Sequence, residues 1–157
     1  MEIINRKIPM EELAQLIALQ LANGGRAKLT VTGCSMLPLL REQRDSVELI
    51  APATRQKTGD IILYQRENGQ YILHRIVALT ETGYLCCGDN QAKREVVDHS
   101  QLLAVVDGFR RKGKDYDLDH ILYRLYLALW VGLFPLRGVY IKLRRFLGTG
   151  YRAIKKR

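Results

Sequence analysis

Hydrophobic and polar positions along this chain change their period twice, and the changes divide it into three stretches. Between Ile8 and Asn23 the apolar residues Leu13, Leu16, Ile17 and Leu21 recur at helical spacing, Glu11 and Glu12 suit a first turn, and Asn23-Gly24-Gly25 closes the pattern. This predicts a short amphipathic helix packed on the body. From Ala27 the period falls to two. Ala27 to Thr32 alternates like a half-buried strand, Asp45 to Ile50 alternates again, and Gly59-Asp60 opens the run Ile61 to Tyr64. Asn68-Gly69 is a strong hairpin signal, with Tyr71 to Val77 as the returning strand. A turn at Glu81-Thr82-Gly83 leads to Tyr84 to Cys87, which ends in Gly88-Asp89-Asn90-Gln91, and Leu102 to Phe109 is the last strand of the body. Short strands separated by turns, with no helices alternating between them, predict a mainly β fold: an antiparallel body, curled or barrel-like rather than doubly wound.

The third stretch follows a polar link, Arg110 to Asp117. Leu125 to Leu136 holds twelve residues without charge, which as a helix would measure roughly 18 Å against a hydrocarbon core of roughly 30 Å. Gly132 and Pro135 inside it argue against a straight span. Leu136, Val139, Tyr140, Leu143 and Leu147 then share one helical face while Arg137, Lys142, Arg144 and Arg145 share the other, with Ile141 the misfit. That is the pattern of a basic amphipathic helix on a membrane surface, with Trp130 and several tyrosines suited to the interface. The alternative is a pair of helices packed on the body or on a partner. The expected division is an N-terminal helix over 1–26, a β domain over 27–109, and a linker with a basic, apolar, helical segment over 110–157.

Charge sharpens this picture. The 157 residues suit one domain. They carry 25 Lys and Arg against 16 Asp and Glu, but from Ile121 onward there are nine basic residues and no acid, so the net +9 belongs wholly to the tail. A neutral body with a basic, partly apolar tail calls for an anionic surface. A membrane surface is favoured over nucleic acid, with attachment to the plasma membrane through the C-terminal segment and the side left open. The N-terminus begins with charged residues and its first apolar segment is broken by Gln15 and Gln20, so no cleavable secretory signal is expected. Cys34, Cys86 and Cys87 make neither a disulfide framework nor a metal-ligand spacing and are expected as small buried hydrophobes. No metal and no organic cofactor is implied.

The candidate chemistry centres on Thr32-Gly33-Cys34-Ser35-Met36-Leu37-Pro38-Leu39. Gly33 allows the backbone to approach another segment closely, Pro38 stiffens the exit, and the frame can present the Ser35 hydroxyl in a fixed direction. The plainer explanation is a polar turn between strands. Serine becomes a nucleophile when a base takes its proton. His74 is the candidate base: it shares a strand face with Ile72 and Ile76, and burial there keeps an imidazole neutral, the form a general base requires. Without a partner it would be an ordinary core histidine. His99 and His120 have no comparable setting. A base histidine is normally held in one tautomer by a carboxylate. The candidates are Asp89, then Asp98, with Glu95 ranked behind them; Asp45 and Asp60 precede strands and serve to brace the loop near Ser35. Spacing alone does not choose.

Five boxes in order, Gly33-Cys34-Ser35-Met36-Leu37-Pro38, Arg44-Asp45, Gly59-Asp60-Ile61-Ile62-Leu63-Tyr64, Leu73-His74-Arg75-Ile76-Val77 and Gly88-Asp89-Asn90, resemble those of the signal peptidase I and LexA-like serine peptidase superfamily. The resemblance covers roughly residues 27 to 109. It implies Ser35 as nucleophile. Where bacterial signal peptidases and LexA-type repressors have a lysine before the arginine, this chain has His74, so it is more similar to the Ser-His signal peptidases of the endoplasmic reticulum and SipW type. By the same resemblance Asp89 matches the acid of the Gly-Asp-Asn box, and a second family acid would fall at Glu95 or Asp98. The chain departs from the pattern in having Arg44-Asp45 where the family has Gly-Asp, and in placing a soluble-looking helix before the serine box. The implied activity is a serine endopeptidase that cleaves an extended peptide or preprotein segment after small residues. The alternatives are a cytoplasmic-side peptidase maturing a small precursor, or a self-cleaving LexA-type regulator, for which the first 26 residues offer too little for a helix-turn-helix.

Overall fold

The computed structural model of the chain describes residues 9–53 and 55–132. In chain order the elements are α1 (Met10–Ala22), β1 (Ala27–Thr30), β2 (Ser46–Ile50), β3 (Ile61–Gln65), β4 (Tyr71–Leu79), β5 (Gly83–Cys87), β6 (Glu95–Asp98), a 3-10 turn (His99–Gln101), β7 (Leu102–Arg111), β8 (Lys114–Asp117) and α2 (Ile121–Gly132). The strands form one antiparallel eight-stranded sheet in the order β1-β2-β7-β3-β4-β5-β6, with β8 also on β7. The fold is therefore mainly β with two short helices. Register shifts at Glu48/Leu49, Leu63/Tyr64 and Ile76/Ala78 insert extra residues into the ladders, and such bulges bend and twist the strands that carry them.

Burial explains the sequence pattern strand by strand. Between β4 and β7, β3 is covered on both faces, so its Ile-Ile-Leu-Tyr run is buried without alternation. Ile61 and Leu63 join the larger core with Leu39, Leu40, Leu49 and Val106, while Ile62 and Tyr64 join a smaller one with Ile76, Tyr84, Cys86 and Val97. On α1 the buried stripe is Ala14, Ile17 and Leu21, and Leu16 is 55% exposed. The helix is thus turned slightly from the expected face.

Two strands were not anticipated. The expected polar link 110–117 is the end of β7 and the whole of β8, joined by the two-residue turn Lys112-Gly113 with φ of 50° and 80°. Positive φ at both turn residues matches the twist of a tight hairpin. The other strand, β6, lies at the sheet edge and has only two apolar residues, Val96 exposed and Val97 buried, between Glu95 and Asp98, too short a run for pattern analysis to mark. The helix α2 begins before the apolar run and buries Tyr123 against the body, leaving Ile121, Leu122, Leu125 and Leu129 exposed. Among the described residues no helix is long and apolar enough to cross a membrane. The expected amphipathic helix of residues 136–147 lies outside the described residues.

Candidate active site

The serine loop is held from three sides. Gly33 has φ of 76° with nothing near the position of a Cβ, so glycine is favoured there for its left-handed backbone and not, as expected, for close approach. The loop's return is fixed by Asp45. Its carboxylate accepts from the backbone N–H of Arg41 and Lys112 and from the Arg44 guanidinium. Burial raises this carboxyl's pKa, but these donors outweigh it and hold the value to about 2. The third hold is the Gly88-Asp89-Asn90 turn, where the Asn90 N–H donates to the Ser35 carbonyl at 2.7 Å and Asn90 Nδ2 donates to the Cys34 carbonyl at 3.2 Å. Contrary to expectation Cys34 is exposed, while Cys86 and Cys87 are buried.

Close approach belongs to Gly88. A Cβ built on it would stand 3.0 Å from the Cβ of Ser35, 3.0 Å from Nε2 of His74 and 2.8 Å from the Ser35 carbonyl. The serine side chain and the imidazole nitrogen therefore border one small gap, no farther apart than two 3.0 Å spans laid end to end. No hydrogen bond joins them among the described contacts; in unliganded sites such bonds are often long and tighten with substrate.

Alternation along β4 puts Ile72, His74 and Ile76 on one face, and His74 is almost wholly buried. Its other nitrogen, Nδ1, lies 3.1 Å from Glu95 Oε1 and 3.1 Å from the Tyr64 hydroxyl. Tyr64 also donates to Glu95 Oε1 in a very short contact, and Arg66 grips both Glu95 oxygens at 2.7 and 2.8 Å. Burial raises the Glu95 pKa, yet the Arg66 fork and the Tyr64 hydroxyl overcome it and hold the carboxyl at about 2. Glu95 is therefore an acceptor only, Tyr64 gives its proton to it, and the network assigns the His74 proton to Nδ1. Nε2, facing the gap beside Ser35, is left with its lone pair. Burial lowers the His74 pKa, opposed by Glu95, so the ring stays neutral.

The acid at His74 is thus Glu95, and not Asp89 or Asp98. The Asp89 carboxylate accepts from Arg75 Nε and Nη2 at 2.8 and 2.7 Å, a pair with no exposed side-chain surface, and from the Tyr126 hydroxyl at 2.9 Å. Asp98 caps the 3-10 turn by accepting from the Ser100 N–H and hydroxyl. The reason is strand parity: Glu95 pairs with Cys86, which pairs with Ile76, so it shares the His74 face, whereas Asp98, three residues on, points to the other side. Asp60 accepts from the Lys57 N–H and braces the turn before β3. Tyr64 and Arg66 were missed, although the hairpin register pairing Ile62 with His74 places Tyr64 on the imidazole's face.

No described residue accepts from the backbone N–H of Cys34 or Ser35, so both donors stand available for a developing oxyanion. Beside them opens a groove of about 480 Å³, lined by Leu29, Val31, Met36, Leu63 and Leu73, with Met10 and Leu13 of α1 closing one side. Two strand edges flank it: β1 ends the sheet, and residues 71–74 of β4 pair only with β3. A hollow of similar size, about 470 Å³, between α1 and the β3–β4 hairpin borders neither Ser35 nor His74; the serine, not the volume, singles out the groove. Among the described residues no three His, Cys, Asp or Glu side chains gather to hold a metal ion. Comparison with known proteins gave no matching family model, curated protein or solved structure.

Proposed function

We propose that the protein is a serine endopeptidase of the signal peptidase and LexA-like type, working through Ser35, His74 and Glu95. One observation carries the proposal: a neutral, buried imidazole is fixed by a carboxylate on one nitrogen and shares with Ser35, on its other nitrogen, the gap left by Gly88. Ser35 Oγ attacks the peptide carbonyl carbon while Nε2 of His74 takes the hydroxyl proton. The oxyanion is met by the free N–H groups of Cys34 and Ser35. The imidazolium, stabilised by Glu95 through Nδ1–H, passes the proton to the departing amine, and water, deprotonated by the same nitrogen, releases the acyl group from the serine.

The groove supports an extended peptide as substrate, because open edges on β1 and β4 offer backbone hydrogen bonds to an added strand while its apolar walls receive alternate side chains. Cleavage after small residues follows from the family resemblance. The exposed aliphatic residues of α2, continuous in sequence with a tail of basic residues and no acid, support an anionic membrane surface as the second partner.

The test is turnover of a fluorogenic peptide with a small-x-small motif. Ser35→Ala and His74→Ala should each abolish it, and Glu95→Gln should lower kcat by up to roughly 10⁴-fold, the scale found when the orienting carboxylate of a Ser-His pair is neutralised. Full activity in either of the first two variants would reject the dyad. Flotation with phosphatidylglycerol vesicles but not with phosphatidylcholine tests the membrane surface.

A further inference from the structure

Two residues on the face of α2 that packs on the body, Tyr126 and Trp130, hydrogen-bond the same residue of the β domain, Asp89. Tyr126 donates its hydroxyl to Asp89 Oδ2 at 2.9 Å, and Trp130 Nε1 donates to the Asp89 backbone carbonyl at 3.1 Å. The two rings are stacked, their centroids 5.5 Å apart and 16° from parallel. Asp89 sits between two residues that touch the nucleophile. Gly88 forms the gap shared by Ser35 and His74, and Asn90 donates to the carbonyls of Ser35 and Cys34. Neutralising Asp89 does not need α2, because Arg75 already occupies both carboxylate oxygens. What Tyr126 and Trp130 add is a fixed position, one bond to the side chain and one to the backbone of the same residue.

We propose that Tyr126 and Trp130 are positioning residues for the serine: α2 clamps Asp89, and through Gly88 and Asn90 it sets Ser35 against His74. The segment after the β domain is then part of the catalytic apparatus and not only an attachment. This rests on the peptidase assignment above, so the experiment reads the clamp in two independent ways. Displacing a catalytic group by a fraction of an ångström costs rate more than substrate affinity. Tyr126→Phe and Trp130→Phe keep an aromatic ring and remove one donor each. In the full-length protein each should lower kcat about tenfold with KM within about twofold of wild type, on the scale of one lost hydrogen bond.

The second readout is independent of turnover. Cys34 is the one exposed cysteine of the three, and the Asn90 amide holds its carbonyl. Its alkylation rate with iodoacetamide, followed by mass, should rise several-fold in both variants if the loop loosens, while the melting temperature moves little. Wild-type kcat and an unchanged Cys34 rate in both variants would overturn the clamp. So would a loss of kcat that follows the melting temperature and leaves the Cys34 rate unchanged, since that is what a purely structural role predicts. An inactive wild-type protein whose Cys34 rate still responds to both substitutions would sink the peptidase assignment and leave the tie between α2 and the loop standing.

Discussion

Replacing Gly88 with Ala is the sharpest perturbation of this site, because it inserts one methyl group where Ser35 and His74 face each other. The added Cβ would meet the Ser35 carbonyl at 2.8 Å, and the Ser35 Cβ and His74 Nε2 at 3.0 Å each. None of the three can yield freely. The carbonyl is fixed by the Asn90 N–H at 2.7 Å, and the imidazole is held from behind by Glu95 and Tyr64. Relief must come from the turn moving away or the serine being pushed off the histidine, and overpacking of this kind costs about 1–3 kcal/mol. The effect on catalysis is larger, since a displacement of about 1 Å at a reacting group lowers rate by about 10²-fold. Gly88→Ala should therefore retain its fold, lose about 10²-fold in kcat/KM on the fluorogenic peptide, and unfold at lower denaturant. Gly83→Ala provides the control: its Cβ would run into the Val97 carbonyl at the opposite end of β5 from Gly88, so it should be destabilised yet active per folded molecule. Activity of Gly88→Ala within threefold of wild type would refute the placement of Ser35 beside His74.

Three further outcomes follow from the electrostatics. The proposed mechanism uses neutral His74, so kcat/KM should rise with pH and level off, its midpoint lying below the ordinary histidine value of 6.5 because burial lowers the pKa; the Arg66 charge lowers it further, so Arg66→Met should move the midpoint upward, and an unmoved midpoint would count against the network. Asp89→Asn should destabilise the protein by about 3–5 kcal/mol in urea unfolding, since it strands a buried guanidinium; a near-neutral effect on stability combined with a shifted pH profile would instead return Asp89 to the role of orienting acid. Glu95 and Asp45 have pKa values held at about 2 against 4.5 and 3.8 for the free groups, so the stability they supply is complete above the unfolded values and is lost as pH falls toward 2; Asp45→Asn should flatten the dependence of melting temperature on pH in that window.

Much of the fold was legible from alternation, from the unbroken apolar run of Ile61 to Tyr64, and from turn residues. The helix over Met10–Ala22 and the strands carrying Ser46, Ile61, Tyr71 and Tyr84 lie where alternation and the Asn68-Gly69 turn put them. The two strands that escaped notice, Glu95–Asp98 and Lys114–Asp117, are four residues each and begin and end on charged residues, a run too short for its alternation to stand out from the turns on either side. That gap decided the choice among the acids. With residues 95–98 taken as a loop, Glu95 and Asp98 have no defined faces. Once they form a strand paired to Gly83–Cys87, parity alone sends Glu95 toward the histidine and Asp98 away from it. The close approach expected of Gly33 belongs instead to Gly88, and what Gly33 supplies is a positive φ.

Adjacent residues His74 and Arg75 explain why two acids were needed and why they are easily exchanged on paper. Neighbours on a strand point to opposite faces, so this dipeptide sends a neutral base into the smaller core and a permanent cation into the larger one. Each then requires its own carboxylate. Arg75 is completely buried and takes Asp89, with the Tyr123 hydroxyl and the Gly59 carbonyl accepting from its Nη1. His74 takes Glu95, itself neutralised by Arg66. Taking Asp89 away from Arg75 to serve the histidine would leave a completely buried guanidinium without its counter-charge, which is the costly arrangement. The Gly88-Asp89-Asn90 turn crosses between the two networks. It is anchored by the cation and by α2 on one side and presses against the serine loop on the other, so in the proposed peptidase an ion pair with no part in the chemistry would set the geometry of the reacting groups.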